Sequence, residues 1–572
     1  MPRPSAHLSA NAFAALLALL VSLAPARSSA QEAEPAAPPP FTDAQLQGAA
    51  VVLGLDLTDA ERALMLPDLV DQFNAYRSLR SRQLANDVAP ALRLDPWQTR
   101  VRAAIADTRA RFADPGPQQR PADLDDLAFT DVATLGRLVR DRQITCVALA
   151  EWSLDRLRRH DPKLHCVVTL LPERALARAR ELDAMLDRGQ YLGPLHGIPY
   201  GAKDLLAVAG APTTWGAEPY RDQVIDDTAT VVRKLDEAGA VLVAKLALGA
   251  LAWGDVWFGG TTLNPWNLEQ GSSGSSAGSA SAVSAGLVPF AIGTETWGSI
   301  VSPSSRCGVT GLRPTYGRVS RDGAMALSWS MDKIGPIART VEDCALVFDA
   351  IRGPDGREPG LSAAPFPYDT TRSLAGLRIG WVEDAFAESR PDSLVDAQAL
   401  DVMRRLCAEQ GATLVPVTLP VAELGIDPYA LAIILSAEAA AAFQELTLSG
   451  RDDLLARQVR DAWPNVFRAA NLIPAVEYVQ ANRHRTLLMA GLAQLFRDVD
   501  AYVTPSFAGP GLLVTNLTGH PQVVVPSGEG HDNPLASLSF VGRLDDEATL
   551  LAVARAYEQA TAWHRRHPEG WR

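Results

Sequence analysis

The chain has 572 residues; 47% of them are hydrophobic, 21% are charged, and the formal net charge at pH 7 is −13. This composition is that of a globular protein with a sizeable core, and it excludes an intrinsically disordered chain. The acidic balance, with no dense basic patch along the sequence, excludes nucleic acid as an expected partner.

The first thirty residues have the organisation of a secretory signal peptide. Arg3 and His7 precede an apolar run over residues 12–24, and small residues at 28–30 provide a cleavage site. The run is shorter than the ~20 residues of a membrane-spanning helix. We therefore predict a signal peptide over residues 1–30 and a periplasmic or secreted protein exported by the general (Sec-type) pathway. The alternative is an uncleaved anchor; without it, no stable membrane insertion is expected.

An N-terminal extension separates the signal peptide from the rest of the chain. Residues 31–41 are rich in Pro and Ala and are interpreted as a linker. Thr42 with Gln45 and Thr58 with Glu61 form capping-box patterns ahead of apolar runs at helical spacing. We predict a helical extension over residues 42–125 and one large domain over residues 126–572. The role of the extension and the oligomeric state are left open.

The large domain has the pattern of an α/β fold. Residues 132–159 and 173–188 have helical periodicity. Between and after them come short apolar or β-branched runs, which predict strands at 240–243, 287–292, 377–382, 413–418, 501–504 and 523–525.

The cysteines and histidines do not indicate a metal or redox centre. Five widely spaced cysteines do not form a disulfide framework, although a single bridge stays open. His564 and His567 are interpreted as part of a solvated helix end, and His196 and His520 as structural residues. The sequence has no metal-site, Walker-type or Cys-x-x-Cys motif, so no metal and no organic cofactor is expected.

One lysine stands out in a chain that favours arginine. The only lysines are Lys163, Lys203, Lys234, Lys245 and Lys333, and Lys203 lies among small and apolar residues in Gly-Ile-Pro-Tyr-Gly-Ala-Lys-Asp at 197–204. Lysine, unlike arginine, can lose its proton when it is desolvated. Lys203 is therefore either a neutral base or a half-buried ion-pair partner of Asp204.

Two serine-bearing turns follow, separated by an apolar segment. The first is Ser-Gly-Ser-Ser-Ala-Gly-Ser at 273–279, and the second is Gly-Thr-Glu-Thr-Trp-Gly-Ser at 293–299. Their small residues predict a closely packed helix and a buried strand between tight turns, unlike a flexible Gly/Ser linker. A serine on such a turn is a candidate nucleophile.

These motifs resemble those of the amidase signature family. The segment Cys-Gly-Val-Thr-Gly-Leu-Arg-Pro-Thr-Tyr-Gly-Arg-Val-Ser at 307–320 follows the serine turns as a similar segment does in that family, and the similarity runs from about Leu127 to Trp563. The resemblance implies a mixed β-sheet core sandwiched between α-helices, here with the helical extension at its N-terminus.

The resemblance also implies a Ser-Ser-Lys triad. Ser299 would be the nucleophile that accepts the acyl group, Ser275 the bridging serine, and Lys203 the base. A cis peptide bond would join Gly274 to Ser275, and Ser276 and Ser279 would either hold that turn by side-chain hydrogen bonds or be ordinary helix-start serines.

The resemblance places the oxyanion hole in the turn before Ser299. Its donors would be the backbone N–H groups of Thr296, Trp297 and Gly298.

The sequence departs from the family pattern at three positions. Trp297 stands where the family usually has Gly, Glu295 where it often has Asp, and Val301 where an Arg is common. Substrate preference is expected to depend on Trp297 and on residues 351–440, which carry no recognisable motif. Four further tryptophans lie near the motifs; they could line an acyl pocket, but core filling is favoured (Trp253, Trp257, Trp266 and Trp329).

The leading hypothesis is an amidase that hydrolyses a small linear carboxamide through an acyl-enzyme. The first alternative is an amidotransferase A-type subunit, although the predicted signal peptide argues against it. The second is a non-catalytic binding protein on an amidase scaffold. The presence of Lys203, Ser275 and Ser299 together argues against this second alternative. The sequence does not identify the amide.

Overall fold

The computed structural model of the chain describes residues 40–82, 84, 88, 90–92 and 110–572. The predicted signal peptide, and the predicted linker up to residue 39, lie outside this range. All five cysteines are within it, and each is buried with a free thiol. None of the helices in the described part of the chain is long and apolar enough to cross a membrane.

The described residues form 18 α-helices, numbered in chain order: α1 (Asp43–Leu53), α2 (Asp59–Arg80), α3 (Val132–Arg140), α4 (Cys146–Leu164), α5 (Pro172–Asp187), α6 (Thr230–Glu237), α7 (Ala277–Ser284), α8 (Val301–Arg306), α9 (Val341–Ile351), α10 (Glu383–Ala387), α11 (Ser393–Gln410), α12 (Val421–Leu424), α13 (Ile433–Ala442), α14 (Gln444–Leu448), α15 (Trp463–Ala470), α16 (Ala475–Asp498), α17 (Gly511–Thr518) and α18 (Glu547–Thr561).

The strands of the same residues are β1 (Val167–Leu170), β2 (Pro199–Lys203), β3 (Val241–Leu246), β4 (Val256–Trp257), β5 (Gly260–Thr261), β6 (Leu263–Asn264), β7 (Asn267–Gly271), β8 (Phe290–Glu295), β9 (Thr310–Arg313), β10 (Lys333–Ala338), β11 (Arg378–Val382), β12 (Thr413–Val417), β13 (Ala501–Pro505), β14 (Gln522–Gly528) and β15 (Ala536–Gly542).

The described chain divides into two compact units. One contains the residues up to 92 together with 421–487, and the other contains residues 110–420 and 488–572. The first unit is helical. Its α1 and α2 each begin with the predicted capping box, in which the Thr42 and Thr58 hydroxyls accept hydrogen bonds from backbone N–H groups and a Gln45 or Glu61 side chain binds the cap residue's own N–H. The two capping-box helices are therefore present as predicted, whereas the boundaries of a helical extension over residues 42–125 stay a prediction.

The second unit is built on an 11-stranded mixed sheet with the order β1-β3-β2-β8-β10-β9-β14-β15-β13-β11-β12. β2 is parallel to both β3 and β8, β11 is parallel to β12 and β13, and the remaining neighbours are antiparallel. All residues of β2, β3, β8 and β10 are buried. Strands buried on both faces require helices on both sides of the sheet, so the predicted mixed sheet between helices is confirmed.

Helix α7 explains the run of small residues between the serine turns. All eight of its residues are buried, and none is larger than valine. Short side chains let the α7 backbone lie close to β8. Two hydroxyls use this proximity: Ser279 Oγ donates to Ile292 O at 3.1 Å and Ser276 Oγ donates to Thr294 O at 3.1 Å. Ser276 and Ser279 thus bind strand β8, and not the 274–275 turn that the resemblance offers as one of their two roles.

Candidate active site

Three segments converge at the carboxyl ends of two neighbouring parallel strands. Lys203 is the last residue of β2, and β2 pairs with β8 through residues such as Ala202 and Ile292. Ser275 and Ser276 immediately precede α7, which packs on β8. Because parallel strands end at the same edge of a sheet, Lys203 and Thr294 come together although 91 residues separate them.

Lys203 Nζ lies within a cluster of hydroxyl groups. It is 2.8 Å from Ser275 Oγ, 3.0 Å from Ser276 Oγ and 2.9 Å from Thr294 Oγ1, and it is 3.4 Å from Thr294 O. Lys203 and Ser276 are fully buried, and Ser275 is nearly so. The structure therefore brings the predicted base and the predicted bridging serine into direct hydrogen-bond contact.

The hydrogens of this cluster can be assigned by accounting for donors. The single hydrogen of Ser276 goes to Thr294 O, and the Thr294 N–H also points at Ser276 Oγ at 3.1 Å. Ser276 must therefore accept from Lys203. A neutral lysine amine has two hydrogens and one lone pair. If Ser276 and Thr294 Oγ1 take the two hydrogens, the lone pair faces Ser275, whose hydroxyl can then donate to it.

Burial lowers the pKa of Lys203 well below its usual 10.5, because desolvation penalises the ammonium form. The negative charges of Asp332 and Glu295 oppose this shift. Neither carboxylate makes an ion pair with Lys203, whose partners among the described residues are hydroxyl and carbonyl oxygens. The environment thus favours the neutral amine that a general base requires.

Asp204 is not the partner of Lys203. Its carboxylate forms a fully buried ion pair with Lys245 at 2.7 Å, and it accepts hydrogen bonds from the Thr214 N–H and hydroxyl. Consecutive residues of an extended segment point to opposite faces, which separates the two side chains. The alternative of a Lys203–Asp204 ion pair is therefore wrong.

The two serine turns are joined by their backbones. Ser276 N–H donates to Ser299 O at 3.1 Å. The peptide bond between Gly274 and Ser275 is cis, as the resemblance implies. Residue 274 has to be glycine because a Cβ there would lie 1.8 Å from Gly254 O.

Ser299 differs from the buried members of the cluster in its exposure. It is half-buried, whereas Ser275 and Ser276 are buried. Within the described part of the chain its hydroxyl makes no hydrogen bond. Gly298, directly before it, has φ +86°, a conformation that glycine adopts at little cost. Ser299 is thus the serine of the three that a ligand from solvent can reach.

Glu295 holds the turn that carries Ser299. Its Oε2 accepts hydrogen bonds from the N–H groups of Ile300 and Val301 at 2.8 and 2.9 Å, at the start of α8. Its Oε1 pairs with Arg313 at 2.6 Å and accepts from Asn516 Nδ2 at 2.8 Å. Arg313 and these hydrogen bonds outweigh desolvation and lower the pKa of Glu295 to about 2. The Glu295 carboxylate is therefore ionised, and it connects the turn to the start of α8, to Arg313 and to Asn516.

Asp332 ties the same turn to a neighbouring loop. One of its oxygens accepts from Thr296 Oγ1 at 2.6 Å, and the other accepts from the N–H groups of Leu327 and Ser328 at 2.8 and 2.9 Å. Burial raises the pKa of this carboxyl, and the three donors oppose the rise. Asp332 lies outside the sequence motifs, and Thr294 lies within the second serine turn, where the motif gives it no role. The pairing of β8 with β2 and β10 brings Thr294 to Lys203 and Asp332 to Thr296.

A cavity of about 500 Å³ opens beside this turn. Thr294 and Thr296 form part of its wall, together with Met325 and Trp329 from the loop before β10. We call it the side cavity. Glu358 and Pro359 also line it, so the 351–440 segment contributes to it, whereas Trp297 does not. Trp329 is 51% exposed, which corrects its expected place in the core.

Comparison with known proteins places this geometry in a family. A family model described as Amidase matches residues 148–551, which is more than half of the chain.

The chain belongs to the amidase signature family.

Individual relatives extend this match over whole proteins. The chain is 36% identical over 490 residues to the A subunit of the glutamyl-tRNA(Gln) amidotransferase of Chloroflexus aggregans, with 78% of this chain and 99% of the relative covered. It is 31% identical over 480 residues to the protein of the same name from Coxiella burnetii strain Dugway 5J108-111, covering 77% and 99%. The native peptide amidase of Stenotrophomonas maltophilia has a similar structure, with a TM-score of 0.66, 31% identity and coverage of 77% and 98%.

Membership of the amidase signature family makes the chain an enzyme that acts on C–N bonds. One of the positions at which this chain departs from the family pattern, Glu295, can be explained by its contacts. Glu295 reaches Arg313 and the start of α8 with its longer side chain.

The two histidines beside family motifs take no part in the cluster. His196 Nε2 donates to Leu182 O at 3.1 Å, and burial lowers its pKa. His520 Nδ1 contacts Thr518 Oγ1 at 2.9 Å, and burial lowers the His520 pKa to about 3. Burial favours the neutral form of both rings, and their hydrogen-bond partners lie outside the Lys203 cluster, so they do not form a Ser-His arrangement with its serines.

Proposed function

We propose that this amidase signature protein hydrolyses a carboxamide through an acyl-enzyme on Ser299. The observation that carries the proposal is a buried Lys203 amine, 2.8 Å from Ser275 Oγ and without a carboxylate partner, beside the turn that bears the half-buried Ser299. A serine hydroxyl is a weak nucleophile at neutral pH unless a base takes its proton. A desolvated lysine provides that base because its neutral form is populated.

In the proposed acylation step Ser299 Oγ attacks the carbonyl carbon of the amide. The Ser299 proton passes to Ser275 Oγ while the Ser275 proton passes to Lys203 Nζ. The C–N bond then breaks as Lys203 returns the proton, through Ser275, to the leaving nitrogen. An ester of Ser299 and a free amine or ammonia result, and water repeats the sequence to release the acid.

This relay requires Ser299 Oγ to come within hydrogen-bond distance of Ser275 Oγ when substrate binds. Catalytic hydrogen bonds are often loose without substrate and tighten in the complex. The Ser276–Ser299 backbone bond at 3.1 Å, which holds the two turns next to each other, supports this proposal.

The negative oxygen of the tetrahedral intermediate needs donors that are already in position. We assign this role to the backbone N–H groups of Thr296, Trp297 and Gly298. Their turn is fixed by the Glu295 carboxylate on one side and by the Thr296–Asp332 hydrogen bond on the other. A fixed turn presents its donors without reorganisation in the transition state.

A second candidate function is favoured by the names of the curated relatives. The two amidotransferase A subunits described above match this chain over 99% of their own length. In that function glutamine would be the amide, and the released ammonia would go to an acceptor held by partner subunits. Both candidates use the same acyl-enzyme, and they differ in the substrate and in the fate of the released ammonia.

The hydrolase is supported by the N-terminal sequence and by the peptide amidase likeness. We propose, from the signal-peptide pattern of residues 1–30, that the protein acts in the periplasm or outside the cell. A non-catalytic binding role leaves the buried Lys203 without an explanation, because burial of a lysine costs free energy that a binding scaffold has no reason to keep.

The test is to incubate the purified protein, without partner subunits, with a panel of simple amides and with glutamine, and to measure ammonia or amine release. The hydrolase predicts turnover of simple amides. Turnover of glutamine alone favours the amidotransferase. Ser299→Ala abolishes either activity, whereas Ser302→Ala, at a half-buried hydroxyl in α8, leaves it intact. Turnover that survives in Ser299→Ala contradicts the acyl-enzyme.

A further inference from the structure

The side cavity has an apolar wall. Leu205, Met325, Leu327 and Ile334 contribute buried side chains to it, and smaller residues such as Ala326 complete it. Its volume of about 500 Å³ is within the range of small-molecule sites. Because Thr294 and Thr296 belong to the wall, a group in the cavity lies next to the cluster around Lys203 and to the turn before Ser299.

Arg321 and Glu358 line the cavity, but they neutralise each other. Arg321 Nε donates to Glu358 Oε1 at 2.8 Å, and a second guanidinium nitrogen also binds this carboxylate. The remaining arm of Arg321 donates to Trp329 O at 2.6 Å.

The other charged side chains of the wall also have partners. Asp322 pairs with Arg233 at 2.8 Å and with Arg357 at 3.1 Å. Asp332 accepts three hydrogen bonds from the protein, and Lys333 Nζ donates to a backbone carbonyl. A charged substrate group entering the cavity would have to displace one of these partners or lose its water without compensation.

Trp329 is a large aromatic residue of the wall that is exposed to solvent. Its side chain is 51% exposed. Its backbone is nevertheless held in place, because its carbonyl accepts hydrogen bonds from Tyr316 Oη at 2.7 Å and from Arg321 at 2.6 Å. A large aromatic side chain held at a cavity beside the reacting turn gains most when an apolar group covers it.

We propose that the side cavity binds an uncharged, apolar substituent of the amide substrate, and that Trp329 sets the preference for it. The inference rests on the proposed acyl-enzyme function and names the substrate class of that site. It disfavours glutamine, because the α-ammonium and α-carboxylate groups of glutamine would have to compete with the ion pairs and hydrogen bonds that the charged side chains of the wall already make.

The experiment uses two series of amides with the full-length protein. In the first series the acyl group increases in size from acetyl through butyryl and hexanoyl to benzoyl. In the second series the acyl group stays acetyl, and the substituent on the amide nitrogen increases in size over the same range. Each series includes members of similar size that carry an ammonium or a carboxylate, and glutamine is added. The readouts are kcat/KM and protection of Ser299 from a small fluorophosphonate, which reports binding without turnover.

Growth of the substituent in one series raises kcat/KM or protection by about 10-fold or more, and that series identifies the side of the scissile bond that enters the cavity. Charged members of the same size lose about 100-fold. Trp329→Ala removes most of the gain, Trp329→Phe retains part of it, and Ala326→Phe selectively excludes the largest substituents. The control is Leu394→Ala, which removes an exposed apolar side chain in α11, away from the side cavity. It leaves kcat/KM unchanged across both series.

Three results overturn the inference: no gain in either series, equal acceptance of charged members, or an unchanged gain in both Trp329→Ala and Ala326→Phe. If they occur while the fluorophosphonate still labels Ser299, the inference fails and the acyl-enzyme stands. If Ser299 is not labelled and no amide is hydrolysed, the acyl-enzyme fails and the inference fails with it.

Discussion

Lys203 and Asp204 are neighbours in the chain, and both are fully buried, yet each has its own partners. Asp204 pairs with Lys245 at 2.7 Å, and Lys203 binds Ser275 Oγ at 2.8 Å. Burial lowers the pKa of both lysines, but only Lys245 has a carboxylate in contact that opposes the shift, whereas Lys203 is placed among hydroxyls. This separation supports the proposed role of Lys203 as the base and indicates an ion-pair role for Lys245.

The two lysines provide a matched pair of variants. Lys203→Met lowers kcat/KM by about 10²–10⁴-fold, the contribution of a general base, and changes the free energy of unfolding little because no carboxylate is left unpaired. Lys245→Met leaves Asp204 buried without its partner and lowers the free energy of unfolding by about 3–5 kcal/mol. Amide hydrolysis and urea denaturation of both variants test this contrast. Activity that survives in Lys203→Met would demote Lys203 to a packing role.

The pH dependence of kcat/KM follows from the same environment. The proposed mechanism requires neutral Lys203, so we expect the rate to rise with pH through the Lys203 pKa and to be level above it. Because burial lowers that pKa well below 10.5, the acid limb falls well below the range of an ordinary lysine. A rate profile of the purified enzyme measures the limb. A limb that rises only near 10.5 would contradict a desolvated base.

The Asp332→Asn substitution is expected to shift the acid limb of the kcat/KM profile to lower pH. The negative charge of Asp332 favours the ammonium form of Lys203, so removing it lowers the Lys203 pKa further and shifts the acid limb to lower pH. The amide also cannot accept all three hydrogen bonds, so kcat decreases as the Thr296 turn loosens. Asp401→Asn, at an exposed carboxylate paired with Arg404, leaves the limb where it is. A shift to higher pH would contradict the assignment.

Glu295→Gln tests the support of the nucleophile turn through stability. The variant leaves Arg313 buried without its carboxylate and lowers the free energy of unfolding at pH 7 by about 3–5 kcal/mol. The native pKa of Glu295 is about 2, against 4.5 ordinarily, so the unfolded state binds the extra proton between these values. The stabilisation is complete above pH 4.5 and is lost as pH falls towards 2.

Urea denaturation of the wild-type protein and of Glu295→Gln measures this effect. The difference between their free energies of unfolding decreases as the pH falls from 4.5 towards 2. A difference that is independent of pH would mean that the Glu295 charge does not contribute. Glu295→Asp, which restores the charge on a shorter side chain, recovers part of the stability.

The local signals of the sequence predicted much of the fold. The capping boxes at Thr42 and Thr58 predicted α1 and α2, and the apolar run at 287–292 predicted β8, which begins three residues later than expected. The run at 413–418 coincides with β12. The helix expected over 132–159 is two helices, α3 and α4, because a turn interrupts it at 141–145.

Features that depend on long-range pairing could not be predicted from the sequence. β2, which carries Lys203, is a short stretch containing Pro199 and Gly201, residues that are rare in strands; its pairing with β3 and β8 on both sides makes it a strand. The same holds for Thr294 and Asp332. Asp332 has no distinctive local pattern, and the motif that contains Thr294 does not indicate a contact with Lys203. The order of strands in the sheet brings Thr294 to Lys203 and Asp332 to Thr296.

Covalent labelling can show whether Ser299 is the residue that accepts the acyl group. The full-length protein is incubated with a fluorophosphonate, digested, and mapped by mass spectrometry. We expect one modified residue, Ser299, and loss of labelling in Ser299→Ala and in Lys203→Met. Labelling at Ser275 or at another residue, or no labelling of an enzyme that hydrolyses amides, would contradict it.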